Sequence, residues 1–365
     1  MMSLESLPRW RKAGPGLPES APRATPKVSV VSITYNHQAY IRESLDGFVS
    51  QMTDFPVEII VADDASTDAT PAIIQEYSDR YPHLFRPILR PKNVGVHANL
   101  TDALSAAQGD YLALCEGDDF WIDPLKLSKQ IAFLDQHPQT TVCFHPVRVT
   151  WDDGRAQDSE FPPNFLRRDL SVEALIARNF IQTNSVVYRR QPCYDDIPAG
   201  IMPVDWYLHL RHAVSGDIAM LTDTMAVYRR HEQGIWHSSY ADPPKFWREL
   251  GPGLVATLDA MLSLVAGNSV REEIIGEAAY CALTEIAKVP GAEGRGALAE
   301  CLARHPGVAS LALRHRWRQT PWRRLKSRLS AEVWGWRAHA DLYAGRVKHE
   351  ARRARQCLTA HSLSS

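Results

Sequence analysis

Two acidic clusters carry the residue types from which chemistry could be built: Asp63-Asp64-Ala65-Ser66 and Glu116-Gly117-Asp118-Asp119. Each follows a short apolar run, residues 57–62 and 111–115. Five carboxylates brought to one place (Asp63, Asp64, Glu116, Asp118, Asp119) repel one another unless a cation binds between them. A hard divalent ion answers that need. Mg²⁺ or Mn²⁺ commonly takes one or two carboxylates plus the phosphates of a substrate. A third polar run, Thr34-Tyr35-Asn36-His37, follows the β-branched stretch 28–34. Neither G-x-G-x-x-G nor G-x-x-x-x-G-K-[ST] follows that stretch. Phosphate binding through a metal therefore fits better than a cradle of backbone amides.

The elements around these runs alternate. Residues 28–34 and 57–62 read as strands. Between them, Ile41, Leu45, Phe48, Val49 and Met52 recur at helical spacing. Thr70-Pro71 reads as an N-cap with Pro at the first helical position. A short strand over 86–89, a helix over 96–108, a strand over 111–115 and a helix over 125–136 follow. This alternation predicts an α/β fold with a mainly parallel sheet covered on both faces. Ligands of such a sheet bind beyond the carboxyl ends of its strands, where the acidic clusters lie. Further on, 142–151 and 185–188 read as strands and 205–214 as a helix, and the chain is helical from 246 onward.

The residues from 28 to 136 resemble the nucleotide-sugar-binding half of family 2 glycosyltransferases, which have the GT-A fold. Four pieces in order carry the resemblance: Val30-Val31-Ser32-Ile33-Thr34-Tyr35-Asn36, Ile60-Val61-Ala62-Asp63-Asp64-Ala65-Ser66-Thr67-Asp68, Asn93-Val94-Gly95, and Gly109-Asp110-Tyr111 leading to Glu116-Gly117-Asp118-Asp119. The resemblance implies donor contacts at Thr34, Tyr35, Asn36, Asp64, Asp63, Asn93, Gly95 and Asp118. It implies a Mn²⁺ or Mg²⁺ ion at Asp118, Asp119 and Glu116, Glu standing where the family commonly has Asp. Residues 182–190 are similar to the family's acceptor-flanking segment, which implies acceptor contacts at Gln182, Thr183, Asn184 and, further on, Trp206. Pro203-Val204-Asp205-Trp206 matches the place of the family's catalytic carboxylate, making Asp205 the expected general base. Tyr228-Arg229-Arg230-His231 is similar to a stretch near the pyrophosphate, which implies that His231 ligates the metal or hydrogen-bonds a phosphate. The implied reaction is inverting transfer from a nucleotide sugar, a UDP-sugar first, to a glycan or lipid-linked acceptor in cell-surface polysaccharide synthesis.

Plainer roles stand beside these. Asp63 and Asp64 could start a turn and cap a helix, Asp205 could cap the helix it begins, and His37 and His145 read as structural. A silent GT-A scaffold and a sugar nucleotidyltransferase are the alternative functions. The latter would want a Gly-rich basic loop where Asn36-His37-Gln38 stands.

The whole chain bounds these readings. Its 365 residues, 45% hydrophobic and 23% charged, describe a globular protein rather than a disordered one. A net charge of −1 nominates no nucleic-acid partner. Six cysteines without a C-x-x-C pair, no secretory signal and no apolar run of about 18 residues predict a reduced, cytoplasmic protein. Residues 1–26 read as a flexible tail, 27–125 as the donor half, 126–240 as the acceptor half and 241–365 as a helical extension. Residues 314–355 hold thirteen Lys/Arg against three Asp/Glu with interleaved Trp, a pattern suited to a solvated helix or to the inner face of a membrane.

Overall fold

The computed structural model describes residues 25–154, 156–234, 236 and 242–318. The expected tail, apart from residues 25 and 26, lies outside the described residues, as does nearly all of the basic Trp-rich segment. Seven strands form the central sheet, in the order β10-β6-β9-β4-β1-β2-β3. They are β1 (Val28–Thr34), β2 (Val57–Asp63), β3 (Phe85–Leu89), β4 (Tyr111–Leu114), β6 (Thr140–Phe144), β9 (Val187–Arg189) and β10 (Asp217–Met220). β1 pairs in parallel with both β2 and β4, while β9 runs antiparallel between β4 and β6.

Alternation along the strands divides two cores. Val30, Ile59, Val61, Tyr111 and Ala113 face one side, with α1 (Ile41–Val49), α2 (Thr70–Arg80) and α4 (Lys126–Gln136). Val31, Ile60, Ala62, Leu112 and Leu114 face the other, with α3 (Val96–Ser105), α5 (Val172–Ala177) and α6 (Val204–Ala213). Both faces are apolar, as a sheet covered twice requires. The C-terminal helices α7 (Pro243–Glu249), α8 (Gly251–Leu264), α9 (Ser269–Ala287), α10 (Gly291–Arg304) and α11 (Pro306–Arg318) lie on the second side. Val255, Leu258, Met261, Ile275, Ile286 and Val308 join the same buried cluster as Leu112 and Phe144.

A second sheet, β5-β11-β7-β8, is absent from the sequence expectations. It comprises β5 (Phe120–Trp121), β7 (Val147–Trp151), β8 (Ser159–Phe161) and β11 (Ala226–Arg230). The expected single strand over 142–151 is two strands in different sheets. Pro146 lies between them and has no N–H to offer a ladder. The helix expected at Thr70-Pro71 is present, but its first free amide is met by Asp68, whose Oδ1 accepts from Thr70 N at 2.9 Å. No helix among the described residues is long and apolar enough to cross a membrane.

Candidate active site

The strand order reverses at β1. The chain steps from β1 outward to β2 and β3, then returns to place β4 on the other side of β1. The loops after β1 and β4 lie side by side at the carboxyl edge, where such sheets bind ligands. The loop after β4 stays close to β1, with Cys115 N and Gly117 N donating to Val31 O and Ile33 O at 3.2 and 2.9 Å. A Cβ on Gly117 would lie 2.7 Å from Thr34 Oγ1 and 2.8 Å from Thr34 Cβ, so only glycine fits that approach.

The first two polar loops brace each other. Asn36 N donates to Ser66 Oγ, and Asn36 Oδ1 accepts from Thr67 N, both at 2.8 Å. Asn36 (φ 56°) and Ala65 (φ 60°) are the described non-glycine residues with positive φ. That strain, on the order of 1–2 kcal/mol for Ala, is concentrated at the carboxyl edge. Asp63 is buried and accepts from Ser66 N and Ser66 Oγ at 2.9 and 2.5 Å. Asp64 accepts from Val94 N at 2.7 Å and Gly95 N at 2.9 Å, while its carbonyl accepts from Asn93 Nδ2 at 3.1 Å. Gly95 (φ 88°) turns the chain into α3 at that point.

The five carboxylates therefore do not converge. Asp63 and Asp64 hold loops, which accords with the plainer turn role, and the donor contacts expected of their side chains compete with bonds already made. Thr34 is buried against the Gly117 loop, its Oγ1 lacking a hydrogen-bond partner, and Tyr35 is exposed beside it.

The acidic group that does gather is Glu116, Asp118 and Asp205. Asp118 Oδ2 lies 3.0 Å from His231 Nε2 and 3.8 Å from His37 Nε2. Burial works against its ionisation, but these two histidines outweigh burial and hold Asp118 below the usual carboxylate range. Glu116 is pushed up to about 8, by burial first and then by Asp118 and Asp205. Asp205 enters from the first turn of α6, 23% exposed, with burial raising its carboxyl above its ordinary value. Its Oδ2 accepts from Asn179 Nδ2 and Thr183 Oγ1, both at 3.3 Å. Pro203 occupies the cap position of α6 and Asp205 the second helical position, from which its carboxylate also meets the backbone N–H groups of Asp205 and Trp206 in the first turn.

Three expected contacts are corrected. Asp119 is 1% exposed, and its Oδ1 accepts from Arg229 N at 2.8 Å, so it ties the β4 loop to β11 instead of facing an ion. Trp206 is buried and its indole N–H donates to Leu175 O at 2.8 Å, which removes it from an acceptor surface. Asn184 is fully buried, its Nδ2 donating to Val227 O at 2.8 Å. Gln182 stays partly exposed at the rim, beside Thr183. The sequence reading missed His37, which it set aside as structural although it directly follows Asn36. It also missed Arg229, buried over the Tyr40 and Phe120 rings at 4.6 and 5.0 Å and paired with Glu43. Among the described residues, no group of three or more His, Cys, Asp or Glu side chains is arranged to hold a metal by itself.

The chain is 67% identical over 306 residues to the uncharacterized protein Rv1520 of Mycobacterium tuberculosis, covering 84% of this chain and 88% of that one. Its fold is similar to Staphylococcus aureus TarS 1–349 in complex with UDP-GlcNAc, with TM-score 0.53 and 20% identity over 81% of this chain and 93% of that one. It is also similar to the mannosyltransferase PcManGT of Pyrobaculum calidifontis in complex with GDP-Man and Mn²⁺, with TM-score 0.54 and 20% identity over 89% and 87% of the two chains. A family model described as Glycosyl transferase family 2 matches residues 29–231, more than half of the chain. The protein belongs to glycosyl transferase family 2 and is a glycosyltransferase of the GT-A fold.

Proposed function

We propose that this glycosyltransferase moves a sugar from a UDP-sugar to a hydroxyl of a glycan or lipid-linked acceptor, with inversion, in cell-surface polysaccharide synthesis. The observation that carries this reading is the meeting of Asp205 with the Glu116–Asp118 loop. A carboxylate from a distant helix lies beside an acidic, histidine-flanked loop at the sheet's switch point. Displacement at an anomeric carbon needs both a base on the acceptor side and charge neutralisation on the leaving-group side.

Asp205 takes the proton of the acceptor hydroxyl. Burial, which raises its carboxyl, makes it a better base than a solvated aspartate. On the other side, Asp118 and His231 fit a divalent ion. Their facing atoms are 3.0 Å apart, the separation of two adjacent ligands each about 2.1 Å from an octahedral ion. His231 Nδ1 has no hydrogen-bond partner, so His231 lacks the outer acceptor that usually orients a metal-bound ring, and Asp118 makes the main contact. Mn²⁺ or Mg²⁺ held there supplies positive charge against that developing on the departing diphosphate. Glu116, with its raised carboxyl, adds less negative charge to the site than a free glutamate would. Thr34 and Tyr35 flank the place of the nucleoside. The UDP-GlcNAc and GDP-Man complexes of the two structural relatives support a nucleotide-sugar donor. A lipid-linked acceptor would bring the chain to a membrane surface, where the basic Trp-rich segment is suited to dock.

Calorimetric titration with UDP and with GDP, each with and without Mn²⁺, tests the donor side. Metal-dependent, micromolar binding of UDP alone is expected, and binding of GDP alone would replace the donor class. Asp205→Asn tests the base. It should bind nucleotide as the wild type does and lose about 10²–10⁴-fold in transfer. Normal turnover by that variant would overturn the assignment, and donor binding by the wild type without turnover would favour the scaffold.

A further inference from the structure

Asp205 and His209 are separated by one turn of α6 and share a face of that helix. His209 is fully buried. Its Nε2 lies 3.7 Å from Asp205 Oδ2, and its Nδ1 lies 2.5 Å from the Tyr188 hydroxyl. Tyr188 is itself fully buried in β9, with its ring stacked on His212 at 4.2 Å and 6°. We infer that Tyr188 and His209 are a positioning pair that fixes the orientation of the Asp205 carboxylate toward the acceptor hydroxyl. The inference rests on Asp205 being the base.

The argument is one of donors and acceptors. Nε2 faces a carboxylate, which only accepts while ionised, and the Ile181 carbonyl also faces the ring. The neutral tautomer that suits these neighbours carries its hydrogen on Nε2. Nδ1 is then the lone pair, and the Tyr188 hydroxyl donates to it. Burial holds His209 down to about 3, so the ring stays neutral and does not weaken the base as an imidazolium would. Asn179 and Thr183 donate to Oδ2, His209 Nε2 stands on the same oxygen at 3.7 Å, and backbone N–H groups of Asp205 and Trp206 also meet the carboxylate, so its rotation is set from several sides. The Nε2 contact is long and lacks hydrogen-bond geometry, as catalytic contacts often do before substrate binds.

The test combines turnover with a tautomer readout. Release of nucleoside diphosphate from UDP-GlcNAc and from GDP-mannose, with Mn²⁺, is followed for the wild type, His209→Leu, His209→Gln, Tyr188→Phe and Asp205→Asn. The Leu variant should lose about 10–100-fold in kcat while its affinity for donor stays within about twofold. The Gln variant, which returns an N–H near the Nε2 position, should recover most of the loss. Tyr188→Phe keeps the packing and should lie between them, so the inference survives a Leu variant that fails to fold. Nitrogen-15 NMR of histidine-labelled protein should show His209 as the Nε2–H tautomer, with a mixed population in Tyr188→Phe. Equal kcat for the Leu and Gln variants, or an Nδ1–H tautomer in the wild type, would overturn the pair. Full turnover by Asp205→Asn would remove the base itself, whereas an inactive Asp205→Asn beside a fully active His209→Leu would remove only the positioning role. If neither nucleotide sugar is turned over, the tautomer spectra alone decide.

Discussion

Asp118 and Asp119 are neighbours in sequence with opposite duties. Asp118 is partly exposed and is flanked by two histidines, while Asp119 points inward and holds Arg229 N. On the proposed reading, Asp118→Asn removes the charge that would meet the ion, so metal-dependent UDP affinity should fall by about tenfold or more (~1.4 kcal/mol) with little change in melting temperature. Asp119→Ala leaves a buried backbone N–H unpaired, so it should cost about 1–3 kcal/mol of stability and spare the isotherm. Calorimetry and thermal denaturation on the two variants decide, and the opposite pattern would exchange their roles. The motif made both residues candidates, but it could not tell them apart. Which of two adjacent carboxylates turns inward depends on β11, more than a hundred residues away. His37 was hidden for a related reason. A lone histidine after a polar run has no spacing signal until the fold brings Asp118 and His231 to it. His209 had a signal, its i, i+4 spacing from Asp205, which a helix-face reading of that segment exposes.

At the scale of elements, α4 carries the least expected feature. Lys126 is fully buried at its start, with Nζ donating to Gln130 Oε1 at 2.8 Å and lying 4.2 Å from the centroid of the Trp121 ring. Burial lowers it from about 10.5 to about 7, against a weaker opposing pull from the neighbouring Cys115 and Cys143 thiols. The sign of the pH effect follows. Below pH 7 both folded and unfolded states hold the proton, and the cost of burying the charge is fully present. Between about 7 and 10.5 the folded state gives up the proton while the unfolded state keeps it, so stability rises with pH. Relative to Lys126→Met, the wild type should gain about 1 kcal/mol per pH unit between pH 7 and 9.5, read by chemical denaturation. A constant difference would mean that the folded protein keeps the ammonium charged. The long, one-sided elements α1, α2 and α4 and the β-branched strands β1 and β2 were legible because local pattern and tertiary role agree there. β5 and β8 have two and three residues, too short for any period, and β11 was visible only as a motif. The second sheet meets the Glu116–Asp119 loop through β11, where Arg229 N donates to Asp119, a long-range contact of which sequence periodicity carries no trace.

The whole molecule joins these elements through one buried cluster that runs from the sheet into the last helices. α8 sits directly behind the loop leading to Asp205: Met202 N meets Gly253 O at 3.2 Å and Thr257 Oγ1 at 2.9 Å, and a Cβ on Gly253 would lie 2.9 Å from Met202 Cβ. On the other side, Arg271 of α9 pairs with Glu173 of α5 at 2.7 Å. Val255, Leu258, Met261, Ile275, Ile286 and Val308 are all less than one-tenth exposed within that cluster. At about 1.5–3 kcal/mol for each fully buried side chain, they account for on the order of 10 kcal/mol, as much as the net stability of a typical domain. The helices after residue 250 therefore pack into the same core as the segment that carries Asp205, although their sequence reads as an appended helical region. A chain ending at residue 250 should not reach the native state. It should aggregate or bind a hydrophobic dye, while a chain ending at residue 318 should melt cooperatively and bind UDP with Mn²⁺ as the full-length protein does. A soluble, cooperatively folded and nucleotide-binding 1–250 fragment would show instead that the sheet closes its own core. It would then make the C-terminal helices a separable unit, positioned behind Asp205 but not required to hold it.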